Sequence, residues 1–239
     1  MKYLDLTFVD AKRNLACDEA LLEWFEAQRP DDGLLRLWQP ENYFVVLGHS
    51  NHLTAEVTVT ACATDGVPIL RRVSGGGTVL QGPGCLNYSL ILDCGMFGLK
   101  NIAATFHYVL NRHRTSIAAL AGLQIAVAGI SDLTLDGRKF SGNAQYRKAR
   151  YALVHGTFLL DFDLARIERY LRLPMKQPAY RHNRPHADFV TNLSLNADRI
   201  REALLSEWET SAAFDGDLSQ EIERLVDERY GRPEWSRKF

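Results

Sequence analysis

Cysteines are few in this sequence, and long apolar or basic runs are absent. The 239 residues include four cysteines, none spaced as Cys-x-x-Cys, so neither a zinc knuckle nor a disulfide framework is predicted. No apolar stretch is long enough to cross a membrane, and the first residues lack the apolar segment of a signal peptide. The net charge of −1, without a basic run, argues against nucleic acid as a partner. These absences predict a cytoplasmic protein with reduced thiols that binds neither nucleic acid nor membranes.

Apolar residues are plentiful enough to build a sizeable core, at 46% of the chain against 24% charged residues. Many strand-like runs with fewer, interspersed helical patterns predict an α/β (α+β) fold in one domain, residues 1–239. The predicted strands are 3–8, 33–38, 43–48, 67–72, 86–92, 124–128, 133–135, 138–145 and 151–160. The predicted helices are 11–27, 54–63, 101–120, 164–171, 197–209 and 219–230, with Asp10 as the N-cap of the first.

Three consecutive glycines, Gly75 to Gly77, lie between two strand-like segments. Arg71 and Arg72 come just before them. Glycine loses much backbone entropy on folding, so its usual purpose here is a positive φ angle or a backbone on which a ligand lies directly. Free N–H groups beside arginines can hold phosphate or carboxylate oxygens. The alternative is a glycine-rich hairpin with its arginines in solvent, and the loop alone does not decide between the two.

The loop follows neither standard nucleotide-binding pattern. Gly77 and Gly82 have the spacing of a P-loop, but Pro83 stands where that loop requires lysine. In the dinucleotide-binding pattern counted from Gly75, Leu80 occupies the position of the last glycine. A strand rather than a helix is also expected to follow. Any nucleotide held by this loop is therefore held by a different architecture.

A second chemically notable stretch begins at a predicted hairpin turn, Asp136-Gly137. Lys139 follows this turn closely, so the sheet would hold its ammonium where it could neutralise a phosphate or polarise a carbonyl. The alternative is an exposed hairpin lysine. Further along, His155 lies in a predicted strand, where a buried core histidine is the default interpretation. The residues whose small size permits close approach of a ligand are Ser141, Gly142, Ala144 and Gly156.

Five segments together resemble the lipoate–protein ligase A family, part of the biotin/lipoate protein ligase and octanoyltransferase superfamily. They occur in the family's order: NLACDEALL at 14–22, RLW at 36–38 with VVLG at 45–48, RRVSGGGTV at 71–79 with LNYS at 86–89, DGRKFSGNAQ at 136–145 and HGTFLL at 155–160. FVTNL at 189–193 is similar to the family's closing motif. The resemblance covers nearly the whole chain. It implies a catalytic domain of the class II synthetase or biotin–lipoate ligase type, with mixed β-sheets and flanking helices.

The resemblance also implies an activity. The family joins lipoate to ATP and then passes the lipoyl group from lipoyl-adenylate to a lysine of a lipoyl-carrier domain. ATP and Mg²⁺ would be the cofactors, with Mg²⁺ expected only because ATP is, and Lys139 the catalytic residue. The residues implied to bind substrate or adenylate are Arg71, Arg72, Ser74, Gly75, Gly76, Gly77, Thr78, Val79, Asp132, Ser141, Gly142, Ala144, His155, Gly156 and Thr157. The expected apolar walls are Val45, Leu47, Val79 and Phe140.

Two departures from the family pattern leave questions about the nucleotide and about partners. Ser131 precedes Asp132 where the family commonly has asparagine. Larger members also carry a C-terminal accessory domain that is linked to efficient adenylation, whereas this sequence resembles a compact form. A separate accessory chain, transfer of a preformed adenylate and a naturally compact ligase are the three alternatives.

Two other functions stay open. An octanoyl- or lipoyl-transferase of the same fold would carry its acyl group as a thioester on a cysteine. No cysteine follows Lys139, which counts against this function, while Cys85 lies near the glycine loop and is the thiol to test. A non-catalytic homologue that binds lipoate is the third candidate, although Lys139 and the intact glycine loop argue against it. The histidine pairs 49/52 and 182/186 lack convincing partners, so no metal site is predicted.

Overall fold

Eleven strands and nine α-helices, with a 3₁₀-helical turn at Ala179–Arg181 and a π-helical turn at Val226–Tyr230, make up the structure, a computed structural model that describes residues 1–239. The strands are β1 (Lys2–Asp5), β2 (Leu34–Trp38), β3 (Phe44–Leu47), β4 (Ile69–Arg71), β5 (Val79–Gln81), β6 (Cys85–Asp93), β7 (Ile125–Ala128), β8 (Asp132–Leu135), β9 (Arg138–Arg147), β10 (Tyr151–Leu159) and β11 (Ala212–Ala213). The helices are α1 (Ala11–Gln28), α2 (Leu53–Glu56), α3 (Val59–Asp65), α4 (Ile102–Ala121), α5 (Ala165–Tyr170), α6 (His186–Phe189), α7 (Ala197–Glu207), α8 (Ser219–Leu225) and α9 (Pro233–Ser236). No helix is both long enough and apolar enough to cross a membrane.

The strands form two sheets. The larger sheet has the order β11-β1-β2-β6-β10-β9-β8-β7, and the smaller one has the order β4-β3-β5. Strand β1 pairs in parallel with both of its neighbours, whereas the remaining pairs of the large sheet are antiparallel. The small sheet also contains one parallel and one antiparallel pair. Helices flank these mixed sheets, which confirms the predicted fold class.

One predicted helix, 54–63, is wrong. The chain forms two short helices there, α2 and α3, because Val57 between them has extended backbone angles (φ −124°, ψ 137°). Val57 is completely buried and makes an isolated β-bridge to Leu171. Burial of this β-branched side chain against a distant segment therefore overrides the local helical pattern.

Helix α1 packs against one face of the large sheet. Asp10 caps its first turn as predicted, since the Asp10 side chain accepts a hydrogen bond from the Lys12 N–H at 3.0 Å. The helix buries Leu15, Leu22 and Phe25 in a core cluster that also contains residues of β2, β6, β10 and α8. Helices α4 and α7 cover the opposite face of the sheet with a second apolar cluster.

Strand register places polar residues in two rows on the α1 face. Side chains two residues apart along a strand share a face, so neighbouring strands build continuous rows across the sheet. One row contains Arg36, Ser89, His155 and Ala144. The adjacent row contains Trp38, Asn87, Thr157, Gly142 and Asp132. Helix α1 contacts Arg36 in the first row through Asp18 and Asn14. The row residues that line the floor of a cleft beside this helix are His155, Ala144, Trp38, Asn87, Thr157, Gly142 and Asp132.

Candidate active site

A cleft of about 1380 Å³ lies over the two rows. The glycine loop borders it on one side, and the irregular segment 172–181 borders it on the other. The predicted site residues that line the cleft are Arg72, Gly76, Gly77, Thr78, Val79, Asp132, Lys139, Ser141, Gly142, Ala144, His155, Gly156 and Thr157. Three predicted residues lie outside its lining, namely Arg71, Ser74 and Gly75.

Arg72 shapes the glycine loop from inside. Its guanidinium donates hydrogen bonds to the carbonyl oxygens of Gly75 and Gly77, at 2.6 and 2.8 Å, and to Ser74 Oγ at 3.0 Å. Burial lowers the pKa of Arg72 to about 10, although the Glu56 carboxylate nearby opposes this effect. Because these acceptors occupy its donors, Arg72 holds the loop in place more than it reaches into the cleft.

The loop leaves backbone donors free. The N–H groups of Gly75, Gly76 and Gly77 donate to no protein acceptor, and Gly76 has a φ of 89°, which favours glycine. Gly76 also packs tightly on the turn after β3, because a Cβ atom at Gly48 would lie 2.2 Å from the Gly76 carbonyl oxygen. Gly76 and Gly77 line the cleft, so their unpaired N–H groups are available there to bind an anion.

Arg71 lies on the other side of the loop, which corrects the prediction that its charge serves the ligand. Its guanidinium donates to the carbonyl oxygens of Gly48, His49 and Asn51 at 2.8 to 3.1 Å. It also donates to the carbonyls of Trp235 and Ser236, at 3.2 and 3.0 Å. Burial lowers the pKa of Arg71. Five carbonyl acceptors leave this guanidinium with a structural role.

Lys139 lines the cleft from strand β9. The predicted hairpin turn before it is confirmed, with φ angles of 50° at Asp136 and 71° at Gly137. The Lys139 ammonium lies 2.8 Å from Asp132 Oδ1, and its side chain is only 26% exposed. A Cβ atom at Gly142 would lie 2.6 Å from Lys139 Nζ, so only glycine leaves room for the ammonium there.

His155 belongs to a buried polar array that the sequence did not reveal. Its Nε2 atom lies 2.6 Å from Ser74 Oγ, and its Nδ1 atom lies 3.4 Å from Asp18 Oδ2. The other carboxylate oxygen of Asp18 accepts from Arg36 at 2.7 Å. Burial raises the pKa of Asp18, but the Arg36 charge and the His155 contact more than offset it and hold that pKa below its ordinary value. The array ties the glycine loop, through Ser74, to α1 and β2.

A second polar group missed by the sequence interpretation supports the floor of the cleft. The Tyr88 hydroxyl donates to Asn143 Oδ1 at 2.6 Å, and Asn143 Nδ2 donates to the Ser131 carbonyl at 2.7 Å. A Cβ atom at Gly156 would lie 1.8 Å from Asn143 Oδ1, so Gly156 provides the space for this amide. Thr157, in the same strand, accepts a hydrogen bond from Gln81 Nε2 at 2.7 Å.

The apolar end of the cleft differs in part from the expected walls. Val79 and Phe140 line the cleft as expected. Val45 and Leu47 do not, because alternate residues of β3 point away from it into a separate apolar cluster. Val46, between them, faces the cleft. Leu15 and Trp38 also line the cleft and pack with Val46 and Val79 in one apolar cluster, which forms the apolar end. Phe140 belongs to a different cluster.

No cysteine lines the cleft. Cys85 is fully buried, and burial raises the pKa of its thiol to about 12. A thioester mechanism requires a thiolate that can reach the acyl group. The chain contains no group of three or more His, Cys, Asp or Glu residues placed to hold a metal ion. The chemistry available in the cleft is therefore that of cationic side chains, among them Lys139 and Lys176, of backbone donors and of an apolar end.

Known proteins resemble this chain in sequence and in fold. A protein of Mycoplasma pneumoniae named "Probable lipoate-protein ligase A" is 32% identical over 160 residues, which are 67% of this chain and 45% of that protein. The chain spans about half the length of the curated relatives it matches.

Two solved structures share the fold. The bi-partite lipoate protein ligase of Thermoplasma acidophilum, described with its E2 lipoyl domain, has a TM-score of 0.84 at 22% identity, covering 99% of this chain and 95% of that one. A lipoate-protein ligase A bound with ATP has a TM-score of 0.83 at 22% identity, covering 99% and 98% of the two chains. The model of the lipoyl protein ligase A/B catalytic domain matches residues 10–208. The chain belongs to the lipoyl protein ligase A/B catalytic domain family.

Proposed function

We propose that this chain is a lipoate–protein ligase that activates lipoate with ATP and transfers the lipoyl group to a lysine of a lipoyl-carrier domain. One observation carries the proposal. The free N–H groups of Gly76 and Gly77 and the Lys139 ammonium line the same cleft, which contains no cysteine. Backbone donors and an ammonium in one apolar-ended cleft suit a mixed anhydride that joins an acyl chain to a phosphate.

The proposed chemistry has two steps. In the first, the lipoate carboxylate attacks the α-phosphorus of ATP and expels pyrophosphate, giving lipoyl-adenylate. In the second, the carrier lysine amine attacks the carbonyl, AMP leaves, and the amine nitrogen loses a proton to solvent. The loop N–H groups would hold phosphate oxygens, and Lys139 would stabilise the charge that develops on the carbonyl or phosphate. Leu15, Trp38 and Val46 would enclose the acyl chain.

The cofactors and partners belong to the same proposal. Mg²⁺ would accompany ATP, and it commonly needs only one or two protein carboxylates beside the phosphate oxygens. Asp132 and Glu56 are carboxylates that line the cleft near its cationic groups. A separate accessory chain is also proposed, since a structural neighbour is described as bi-partite. Four free cysteines and the use of ATP favour the cytoplasm as the place of reaction, with residues 1–239 as one catalytic unit.

An assay of the purified chain tests the function. Lipoate, Mg-ATP and an apo lipoyl domain should yield a lipoylated domain, read by its mass, together with AMP. Replacing Cys85 with alanine should leave this rate unchanged, because the thiol is buried away from the cleft. Transfer from octanoyl-carrier protein that ignores ATP and fails in Cys85→Ala would establish the thioester transferase instead. Lipoate binding without product, even with added accessory chain, would establish the non-catalytic homologue.

Gly142→Ala should lower the transfer rate while the chain still folds. The added Cβ atom would lie 2.6 Å from Lys139 Nζ, and the flexible lysine would move away rather than unfold the strand. We expect about a tenfold loss of rate, because a misplaced catalytic group contributes less to the transition state.

Gly95→Ala is the matched control for Gly142→Ala. A Cβ atom at Gly95 would also approach a side chain, with Asp93 Oδ1 at 3.3 Å, but Gly95 does not line the cleft, so this variant should keep the wild-type rate. Equal rates for Gly142→Ala and the wild type would show that the ammonium does not need the position over Gly142.

A further inference from the structure

Tyr180 contacts the same carboxylate that holds the Lys139 ammonium. The Tyr180 hydroxyl donates a hydrogen bond to Asp132 Oδ2 at 2.7 Å, while Asp132 Oδ1 lies 2.8 Å from Lys139 Nζ. One oxygen of the Asp132 carboxylate therefore accepts a hydrogen bond from the phenol, and the other pairs with the ammonium. Only 9% of the Asp132 side chain is exposed, so few water molecules compete for either oxygen.

The surroundings hold Tyr180 firmly against this carboxylate. Its ring packs on Phe189 with centroids 5.2 Å apart. Its carbonyl oxygen accepts from Arg184 Nη2 at 3.0 Å, and the same nitrogen donates to the Gly137 carbonyl at 3.1 Å. Arg184 thus joins the backbone of Tyr180 to the hairpin turn that precedes Lys139. Tyr180 and Lys139 are fixed to each other through both the turn and the carboxylate.

A glycine also makes room for the phenol ring. Gly129 has a φ of 58°, and a Cβ atom there would lie 3.3 Å from Tyr180 Cε1. Gly142 makes room for the ammonium in the same way, since a Cβ atom at this position would collide with Lys139 Nζ. Two glycines on neighbouring segments therefore accommodate the two partners of Asp132. Such an arrangement confines the carboxylate, and through it the ammonium, to one position.

We propose that Tyr180 is a positioning residue for Lys139, acting through Asp132. The phenol holds Oδ2 so that Oδ1 points at the ammonium and keeps it over Gly142, on the cleft side of β9. Without the phenol, the carboxylate can rotate about its terminal torsion, which has a broad energy minimum, and the ammonium follows it. This inference rests on the proposed ligase function for its kinetic consequence, although the contacts themselves do not depend on it.

Tyr180→Phe should lower kcat for lipoyl transfer about tenfold, because a hydrogen bond to a charged group is lost at the residue that orients the catalytic ammonium. The KM for the lipoyl domain should not change. In an Asp132→Ala background the same substitution should have no further effect, because the carboxylate through which Tyr180 acts is gone. Losses that multiply in the double variant would show that Tyr180 acts only by packing, and would overturn the proposal.

The chain offers a matched control. The Tyr170 hydroxyl donates to Asp65 Oδ2 at 2.8 Å, in a tyrosine–aspartate pair whose residues do not line the cleft. Tyr170→Phe should leave kcat unchanged, and a similar loss in both phenylalanine variants would contradict a specific role for Tyr180.

A second measurement does not need the ligase activity. Acetic anhydride labels lysine amines, and mass spectrometry reads the rate at Lys139. Tyr180→Phe should raise this rate, because the ammonium is no longer held by an oriented carboxylate, while labelling of Lys148 should not change. An unchanged labelling rate at Lys139 in Tyr180→Phe would overturn the proposal, even if the wild type makes no lipoylated product. If the wild type makes no product but Tyr180→Phe raises labelling of Lys139 as expected, only the ligase function is refuted.

Discussion

Lys139→Ala should reduce ATP-dependent lipoyl transfer about 100- to 1000-fold, the loss typical of removing one electrostatic contact to a developing charge. The reason is that Asp132 holds the Lys139 ammonium in place, whereas the other cleft cations Arg172 and Lys176 lie exposed on the segment 172–181 and Arg181 is buried. Arg72 donates to carbonyl oxygens of its own loop, and Arg71 lies outside the cleft. Single-turnover measurements of lipoyl-adenylate formation and of transfer to the carrier domain will show which of the two steps is slower in Lys139→Ala.

Lys148→Ala is the control for this loss. Lys148 pairs with Glu23 at 3.1 Å near the surface and does not line the cleft, so its removal should leave both steps unchanged. Folding of Lys139→Ala should also be unaffected, because its ammonium is partly exposed. Near-normal turnover by Lys139→Ala with an unchanged fold would remove this lysine from the mechanism.

Asp18→Ala should lower the free energy of unfolding by about 3–5 kcal/mol, because it leaves the buried Arg36 guanidinium without its carboxylate. Both side chains of this pair are almost inaccessible to water, with 0% and 5% exposed. Arg36 keeps its hydrogen bonds to the Asn14 and Leu6 carbonyls, which do not neutralise its charge. Urea unfolding followed by circular dichroism measures the loss.

Asp163→Ala provides the comparison with an exposed pair. Asp163 contacts Arg166 at 3.0 Å, with 50% and 41% of their side chains exposed, so its removal should cost no more than about 1 kcal/mol. Equal effects of the two alanine variants would show that burial of the Asp18–Arg36 pair does not determine its contribution.

The Asp18–Arg36 pair makes the free energy of unfolding depend on pH. The folded pKa of Asp18 lies below its ordinary value of 3.8, so the contribution of Asp18 to stability is fully present above that value. It is lost as the pH falls through the folded pKa, because the carboxyl group then takes up a proton. The difference in unfolding free energy between wild type and Asp18→Ala should therefore be constant near neutral pH and shrink below about pH 4.

Local signals in the sequence predicted much of the fold. The turn Asp136-Gly137 has the φ > 0 angles that such a hairpin requires, and the Asn101 side chain caps the predicted long helix α4. The helix predicted at 54–63 failed because the extended conformation of Val57 depends on Leu171, more than a hundred positions away. Local helix propensity carries no information about that distant partner.

The site was predictable where one segment carries the chemistry, as with Lys139 and its neighbours. It was not predictable where distant residues must meet. Asp18 and Arg36 pair across α1 and β2, and nothing in one sequence indicates that contact. Arg71 and Arg72 have the same chemistry, but consecutive residues at the end of strand β4 point to opposite sides, and the sequence does not show which side the cleft occupies. The resemblance to the family supplied the link between the glycine loop and Lys139.

The position of Arg71 has a consequence for synthesis of the protein. Its guanidinium joins the turn after β3 to the carbonyls of Trp235 and Ser236, the latter 165 positions later in the chain. That turn supports Gly76, because Gly48 packs against the Gly76 carbonyl. A ribosome therefore releases the glycine loop long before it releases the residues that complete the loop's support. The nascent chain should bind ligands at this loop only after residues 235 and 236 have emerged, so this wall of the cleft is completed long after its own residues are made.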